Sequence, residues 1–284
     1  MKKVLVLGSG GMLGHMVSLY LKETRKYNII THSRNHSIKK DVHIDLMSSR
    51  QLEHFLFQEK PDIVVNCVGV LIKGSETDPT NAIYMNVYFP HLLSDMIKFH
   101  NGKLIHISTD CVFSGNKGHY SEADTPDATS VYGRSKALGE LNNEHDLTLR
   151  TSIVGPELKE NGEGLFHWFM KSKGEVKGYT ETYWGGVTTL ALAKVIEQCI
   201  DENVVGLQHV TNCIGISKYD LLWYFKRIWN KKDTTILADG KEKKDSSLIT
   251  LRMAPLYFGA TYTQMLEDMY YWMDTHKEIY NQYL

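Results

Sequence analysis

The seven residues Gly8-Ser9-Gly10-Gly11-Met12-Leu13-Gly14 follow directly on the apolar run Val4-Leu5-Val6-Leu7. A buried strand that breaks into glycines and restarts as a helix leaves few folds open. One glycine allows the tight turn, another lets the backbone approach a pyrophosphate, and the last allows close helix–strand packing. The helix N-terminus then aims its amides at the anion. Gly8, Gly11 and Gly14 fit G-x-x-G-x-x-G, whereas Leu13 interrupts the spacing G-x-G-x-x-G. No lysine follows in the P-loop pattern, which excludes that kind of ATPase. Such a cluster can also serve only as a connection. Its place between strand and helix argues for an anion site.

The pattern continues through the first half of the chain. Short, β-branched-rich runs at residues 4–7, 29–31, 63–66, 104–107 and 147–150 predict buried strands, with a further strand before Asp45. Helical periodicity covers residues 12–25, 48–59, 81–100 and 130–144. Strands alternating with helices imply right-handed βαβ units. The expected fold is therefore α/β, a Rossmann-type doubly wound parallel sheet over residues 1–150. A smaller substrate-binding lobe over residues 151–284 is expected to interleave with it. In that half, helices are expected at 165–173, 188–200, 217–229, with Ser217 as N-cap, and 263–278. The Lys-rich run 241–247 reads as a solvated loop.

Composition narrows the partners. A formal charge of -1 over 284 residues gives no reason to expect nucleic acid or an anionic membrane. No apolar stretch is long enough to span a bilayer, and the apolar run at the N-terminus is too short for a signal sequence. Cys67, Cys111, Cys199 and Cys213 lie far apart, which suits neither a disulfide framework nor a zinc site. A cytoplasmic protein without a metal is expected.

The cofactor's second phosphate is addressed after the second strand. An NAD-binding unit usually carries Asp or Glu there for the ribose hydroxyls. Here the stretch is Ile30-Thr31-His32-Ser33-Arg34, without a carboxylate. A hydroxyl and a guanidinium fork suit a 2′-phosphate, so Ser33 and Arg34 point to NADPH. Arg34 as a plain solvated loop residue is the alternative. Asp45-Leu46 lies further on, where a carboxylate could meet the adenine amino group.

Tyr132 and Lys136 are four residues apart on an expected helix and so share one face. A phenol is a poor acid near neutrality, and a neighbouring ammonium favours its phenolate. Such a pair can protonate a carbonyl oxygen as hydride reaches the carbon. The strand before it ends in Ser108-Thr109-Asp110-Cys111, at the sheet edge where ligands meet doubly wound folds. Thr109, with Ser108 second, is the hydroxyl expected to hold the carbonyl. These hydroxyls can equally cap the turn. Cys111 reads as a packed thiol rather than a nucleophile.

Together, Ser-Thr-Asp-x-Val-Phe-x-Gly at 108–115, Tyr-Gly-Arg-Ser-Lys at 132–136 and Leu-Arg-Thr-Ser at 149–152 resemble the extended short-chain dehydrogenase/reductase superfamily. Within it the chain is most similar to the dTDP-4-dehydrorhamnose reductase branch. The resemblance implies Thr109, Tyr132 and Lys136 as the catalytic set. It implies cofactor contacts from the glycine loop and from Cys67, Val68, Gly69, Asn86, Ser108, Tyr132 and Lys136. Substrate contacts are expected at Thr109, Asp110, Cys111 and Arg150, with Trp184 as a stacking surface and Arg252 as a bidentate diphosphate clamp, and the resemblance implies a nucleotide-diphosphate sugar as substrate. The branch commonly has Tyr where Cys111 stands, and the C-terminal half is only loosely similar.

The activity so implied is NADPH-dependent reduction of a 4-keto group on a nucleotide-linked 6-deoxysugar, for surface polysaccharide precursors. An NAD-dependent epimerase or dehydratase is the second reading, and a non-catalytic dinucleotide-binding subunit the third. The oligomeric state stays open, a homodimer included.

Overall fold

A computed structural model describes residues 1–34, 41–252 and 260–284. Its centre is a six-stranded, all-parallel sheet. The first five strands in sequence are β1 (Lys3–Leu7), β2 (Asn28–His32), β3 (Ile63–Asn66), β4 (Lys103–Thr109) and β5 (Leu147–Thr151). The C-terminal half adds β6 (Ile153–Val154), β7 (Gly174–Tyr179), β8 (Thr182–Trp184), β9 (Val187–Thr188), β10 (Gly206–His209), β11 (Ile216–Ser217), β12 (Thr234–Asp239) and β13 (Lys244–Asp245). The sheet order is β2-β1-β3-β4-β5-β10. Strand order reverses between β1 and β3, which places the ligand crevice at the carboxyl ends of those strands.

The sheet is buried on both faces, which explains why its strands read as unbroken apolar runs. Along β1, Val4 and Val6 enter one apolar cluster while Leu5 and Leu7 enter the other. The helices are α1 (Met12–Thr24), α2 (Ser49–Glu59), α3 (Ile72–Thr77), α4 (Pro79–Ile83), α5 (Phe89–Lys98), α6 (Val131–Leu138), α7 (Leu165–Lys171), α8 (Thr189–Asp201), α9 (Lys218–Ile228), α10 (Tyr262–Thr275) and α11 (Lys277–Tyr280). Helices α1 and α8 pack on the first face, α2 and α5 on the second.

Several expected elements differ in detail. The strand expected before Asp45 is reduced to a single bridge between His32 and Val42. The helix expected over 81–100 is divided into α4, a wide turn at Tyr84–Tyr88, and α5. Pro90 is the cause: it has no N–H for the Asn86 carbonyl, and its ring crowds that oxygen. The helix expected over 130–144 ends at Leu138, with Gly139 as its cap. The helix expected over 263–278 stops at Thr275, and α11 follows. The Lys-rich loop contains β13, which pairs with β8. Ser217 caps α9, its hydroxyl accepting from the Asp220 amide.

The C-terminal half is not a separate body. Strand β10 returns to the main sheet beside β5. One apolar cluster joins Val4 and Val17 of the N-terminal half to Phe225 and Met269 of the C-terminal half. The remainder forms the lobe: the pair β6–β9, the parallel pair β7–β12 and the sheet β11-β8-β13. No helix among the described residues is long and apolar enough to cross a membrane.

Helix α1 sits on β1 through Gly14. A Cβ there would lie 2.1 Å from the Gly8 carbonyl oxygen, so only hydrogen fits. Gly14→Ala must push α1 off the sheet and is expected to cost about 1–3 kcal/mol of stability. A denaturant midpoint equal to wild type would show that this contact is not tight.

Candidate active site

The glycine loop is built as a cradle. Gly8 has φ +85°, and the amides of Gly8 and Ser9 both donate to the His32 carbonyl at 3.0 Å. This ties the loop to the end of β2. Gly11 is the N-cap of α1 and has no side-chain cap, so the first-turn amides are left for an anion. Gly10, Gly11 and Met12 are part-exposed along this rim, while Leu13 is buried in the core.

At the end of β2 the expected selectors sit differently from one another. Ser33 is buried and Arg34 is exposed. A carboxylate is present after all: Asp41 accepts from the hydroxyl of Thr31 at 2.5 Å and from that of Ser9. Burial pushes the Asp41 carboxyl up, but hydroxyl donors including Ser33 and the charge of Lys22 bring it below its ordinary value. Asp41 lies ten positions beyond Thr31, so no spacing rule could have found it. Asp45 is exposed and accepts from the Met47 amide at 3.0 Å, closing a turn, and Leu46 is core.

The expected catalytic group is assembled by α6 and the end of β4. Ser130 caps α6, accepting from the Gly133 amide at 3.1 Å. A Cβ on Gly133 would lie 2.2 Å from the Cys111 carbonyl oxygen, so glycine lets α6 touch the turn after β4. That contact brings the Tyr132 phenol to the Thr109 hydroxyl. Thr109 also accepts from the Cys111 amide and donates to Asp110 Oδ1, both at 3.1 Å. It therefore caps the turn and faces Tyr132 at once.

Lys136 is buried against β4. Its amine donates to the Ile107 carbonyl at 2.7 Å and lies 3.3 Å from His106 Nε2. Burial lowers its pKa to about 8, against the opposing charges of Glu140 and Cys67. The Tyr132 phenol is pushed up by burial and by Cys111 and Asp110, with Thr109 pulling the other way.

Asn86 is fully buried at the wide turn made by Pro90. It bonds both polar atoms of Val70's backbone, at 2.8 and 3.0 Å, and donates to Ser135 at 3.1 Å. It thereby pins the loop Cys67-Val68-Gly69 against α6. The Cys67 and Cys111 thiols are each pushed by burial up to about 12, which leaves them packed rather than nucleophilic.

Two expected substrate contacts, Arg150 and Trp184, and the expected cofactor contact Ser108 have other partners. Arg150 is buried and forms a two-pronged pair with Glu140 at 2.7 and 2.6 Å, stacked 5.0 Å from the Phe113 ring centroid. Ser108 donates to the same Glu140 at 2.6 Å, so its hydroxyl is committed too. Trp184 is buried on Tyr262 and donates to Ser152 at 2.8 Å; Ser152 in turn bonds Asp110, whose carboxyl burial pushes up. Arg252 lies near enough to Cys199 of α8 to act on its thiol, and among the described residues no hydrogen bond joins it to Tyr132, Thr109 or Lys136. Elsewhere, Trp168, Lys173, Lys177, Tyr179 and Lys218 line a cleft of about 640 Å³. Among the described residues, no group of three or more His, Cys, Asp or Glu is placed to hold a metal ion.

Truncating one member of a dry ion pair strands the other. Arg150→Ala is expected to lower unfolding free energy by about 3–5 kcal/mol. A loss below about 1 kcal/mol in equilibrium denaturation would mean that Glu140 reaches water.

Comparison with known proteins fits this geometry. A dTDP-4-dehydrorhamnose reductase of Aggregatibacter actinomycetemcomitans is 26% identical over 78% of this chain and 76% of its own. The methionine adenosyltransferase 2 subunit beta of Bos taurus is 24% identical over 78% of this chain and 70% of its own. The solved dTDP-4-dehydrorhamnose reductase of Bacillus anthracis, in complex with NADP, superposes with TM-score 0.81 at 20% identity, covering 95% of this chain and 99% of that one. The model of the family described as "RmlD substrate binding domain" matches residues 1–271, and the chain belongs to that family.

Proposed function

We propose that the protein is an NADPH-dependent reductase of a 4-keto group on a nucleotide-linked 6-deoxysugar. The carrying observation is Tyr132 held against Thr109 by the Gly133 contact, at the carboxyl edge of a sheet whose first loop is a glycine cradle. The cradle fits a pyrophosphate: Gly14 lets α1 seat closely on the Gly8 backbone, and α1 offers uncapped amides at its start. When bound, the cofactor supplies a hydride to the carbonyl carbon. Thr109 orients the carbonyl oxygen, Tyr132 gives that oxygen its phenolic proton, and Lys136 lies one turn away to hold the ribose and steady the phenolate. Asn86 keeps the loop of Cys67, Val68 and Gly69 at the cofactor's edge by its bonds to Val70.

The named reductase among the relatives supports the sugar-nucleotide class, and the neighbour solved with NADP supports the cofactor. Four free thiols agree with a reducing compartment, and we place the reaction in the cytoplasm. Purified protein given NADPH and a panel of dTDP-, UDP- and GDP-linked 4-keto-6-deoxysugars should consume the cofactor with one of them. Tyr132→Phe should lower turnover about 100-fold or more while cofactor still binds. Retained turnover removes the phenol from the chemistry.

The 2′-phosphate is assigned to Arg34, with Asp41 as an opposing charge at the same end. Arg34→Ala should reduce the NADPH-over-NADH preference about tenfold, and Asp41→Asn should raise it several-fold. Binding titrations with both cofactors read this, and an unchanged ratio in both variants removes the assignment.

The relative that is a methionine adenosyltransferase 2 subunit favours a second reading, a dinucleotide-binding subunit without turnover. No cofactor consumption across the panel, together with stable association to another enzyme, would select it.

A further inference from the structure

The bonds around Lys136 are not compatible with every charge state. Val68's amide donates to Asn66 Oδ1 at 3.1 Å, which fixes the orientation of that side-chain amide. Its Nδ2 must then face His106 Nδ1, 3.1 Å away. An amide nitrogen only donates, so Nδ1 accepts and the proton of the neutral imidazole sits on Nε2. That N–H points at the Lys136 nitrogen, 3.3 Å away. An ammonium has three donors and no lone pair, so it cannot accept this bond. A neutral amine can: it accepts from Nε2 and donates to the Ile107 carbonyl at 2.7 Å.

From this geometry we infer that His106, oriented by Asn66, favours the neutral amine of Lys136 in the free protein, and that cofactor binding draws the amine out and lets the neutral fraction take up a proton from solvent. The inference rests on the cofactor reading above only for its second half. His106 acts through Lys136 and is a positioning residue.

Other charges surround the couple. Glu140, just past α6, and Cys67, at the exit of β3, favour a charged Lys136. Tyr132 is one turn away on α6. His91 of α5 faces His106 and, with Lys136, opposes a charge on the imidazole. Burial works in the same direction on both members: it lowers His106 well below its ordinary value and brings Lys136 to about 8. The free-state value is thus lowered, so proton uptake on binding is small near pH 7 and grows as pH rises past it. Cofactor affinity must then fall over that same interval.

Two measurements decide the matter. In the free protein, the Lys136 ε-carbon resonance should titrate near pH 8. In Asn66→Leu, Nδ1 is released to carry the proton, so Nε2 can accept from an ammonium. In His106→Gln, a carbonyl oxygen can accept instead. In both variants the titration should move to higher pH by at least about tenfold in proton concentration. Calorimetry of NADPH binding in buffers of different ionisation enthalpy should show little uptake near pH 7 and most of one proton near pH 9. Repeating it in Tyr132→Phe removes the phenol's contribution.

A wild-type Lys136 that titrates near the ordinary lysine value overturns the inference. So does a depressed value that neither variant moves, because burial alone would then account for it. NADPH binding without proton uptake near pH 9 overturns the second half. Absence of NADPH binding overturns the cofactor reading together with that half, and leaves the free-protein titration to decide the first.

Discussion

The arrangement depends on how closely α6 can approach the turn that ends β4. At Gly133 the backbone of the helix meets the Cys111 carbonyl with no room for a carbon atom between them. At Gly139 the same helix meets the Asn86 carbonyl, where a Cβ would lie 1.8 Å away. Two glycines six residues apart thus seat α6 at both ends. The side chains between and beside them, Tyr132 and Lys136, inherit their positions from that seating. Pro90 contributes from a distance, by widening the helix at Asn86 and exposing the carbonyl that Gly139 meets.

Around this contact the protein keeps charge under cover. Glu140 and Arg150 are both buried and joined through two bonds, and Ser108 takes a further lone pair of the carboxylate. His209 lies 3.3 Å from the same guanidinium, and its Nδ1 bonds the Ile249 carbonyl. Glu122 accepts from His209's amide, the Thr250 hydroxyl and the Leu251 amide. This chain of bonds ties β4, β5 and β10 to the segment leading toward the last helices. Lys136 sits beside the network with its pKa lowered by burial, and His106 supplies the bond its amine takes.

The two halves of the chain carry unequal information. Strands buried on both faces and helices of ordinary length show directly in hydrophobic periodicity, so the first five strands of the main sheet were legible to within a residue or two, whereas β10 was not. The pair Tyr132 and Lys136 was legible because four residues is one helical turn. Their working state was not, because spacing says which side chains share a face and not which acceptors lie nearby. Arg150 and Trp184 show the same limit. Their types suit a sugar diphosphate, yet Glu140 and Ser152 had already engaged them. Asp41 was missed for the complementary reason: nothing local marks a carboxylate that folds back onto a strand ten residues earlier.

What the sequence by itself determined is the βαβ rhythm, the glycine cradle after the first strand, and the helical turn between a phenol and an amine. These are local properties, governed by repeat period and by backbone freedom. Only the tertiary structure decided which charges meet: Arg150 with Glu140, Asp41 with the Ser9 and Thr31 hydroxyls, Lys136 with His106. Pairings of that kind depend on distance through space between segments remote in the chain, and desolvation sets their strength only once the core has closed.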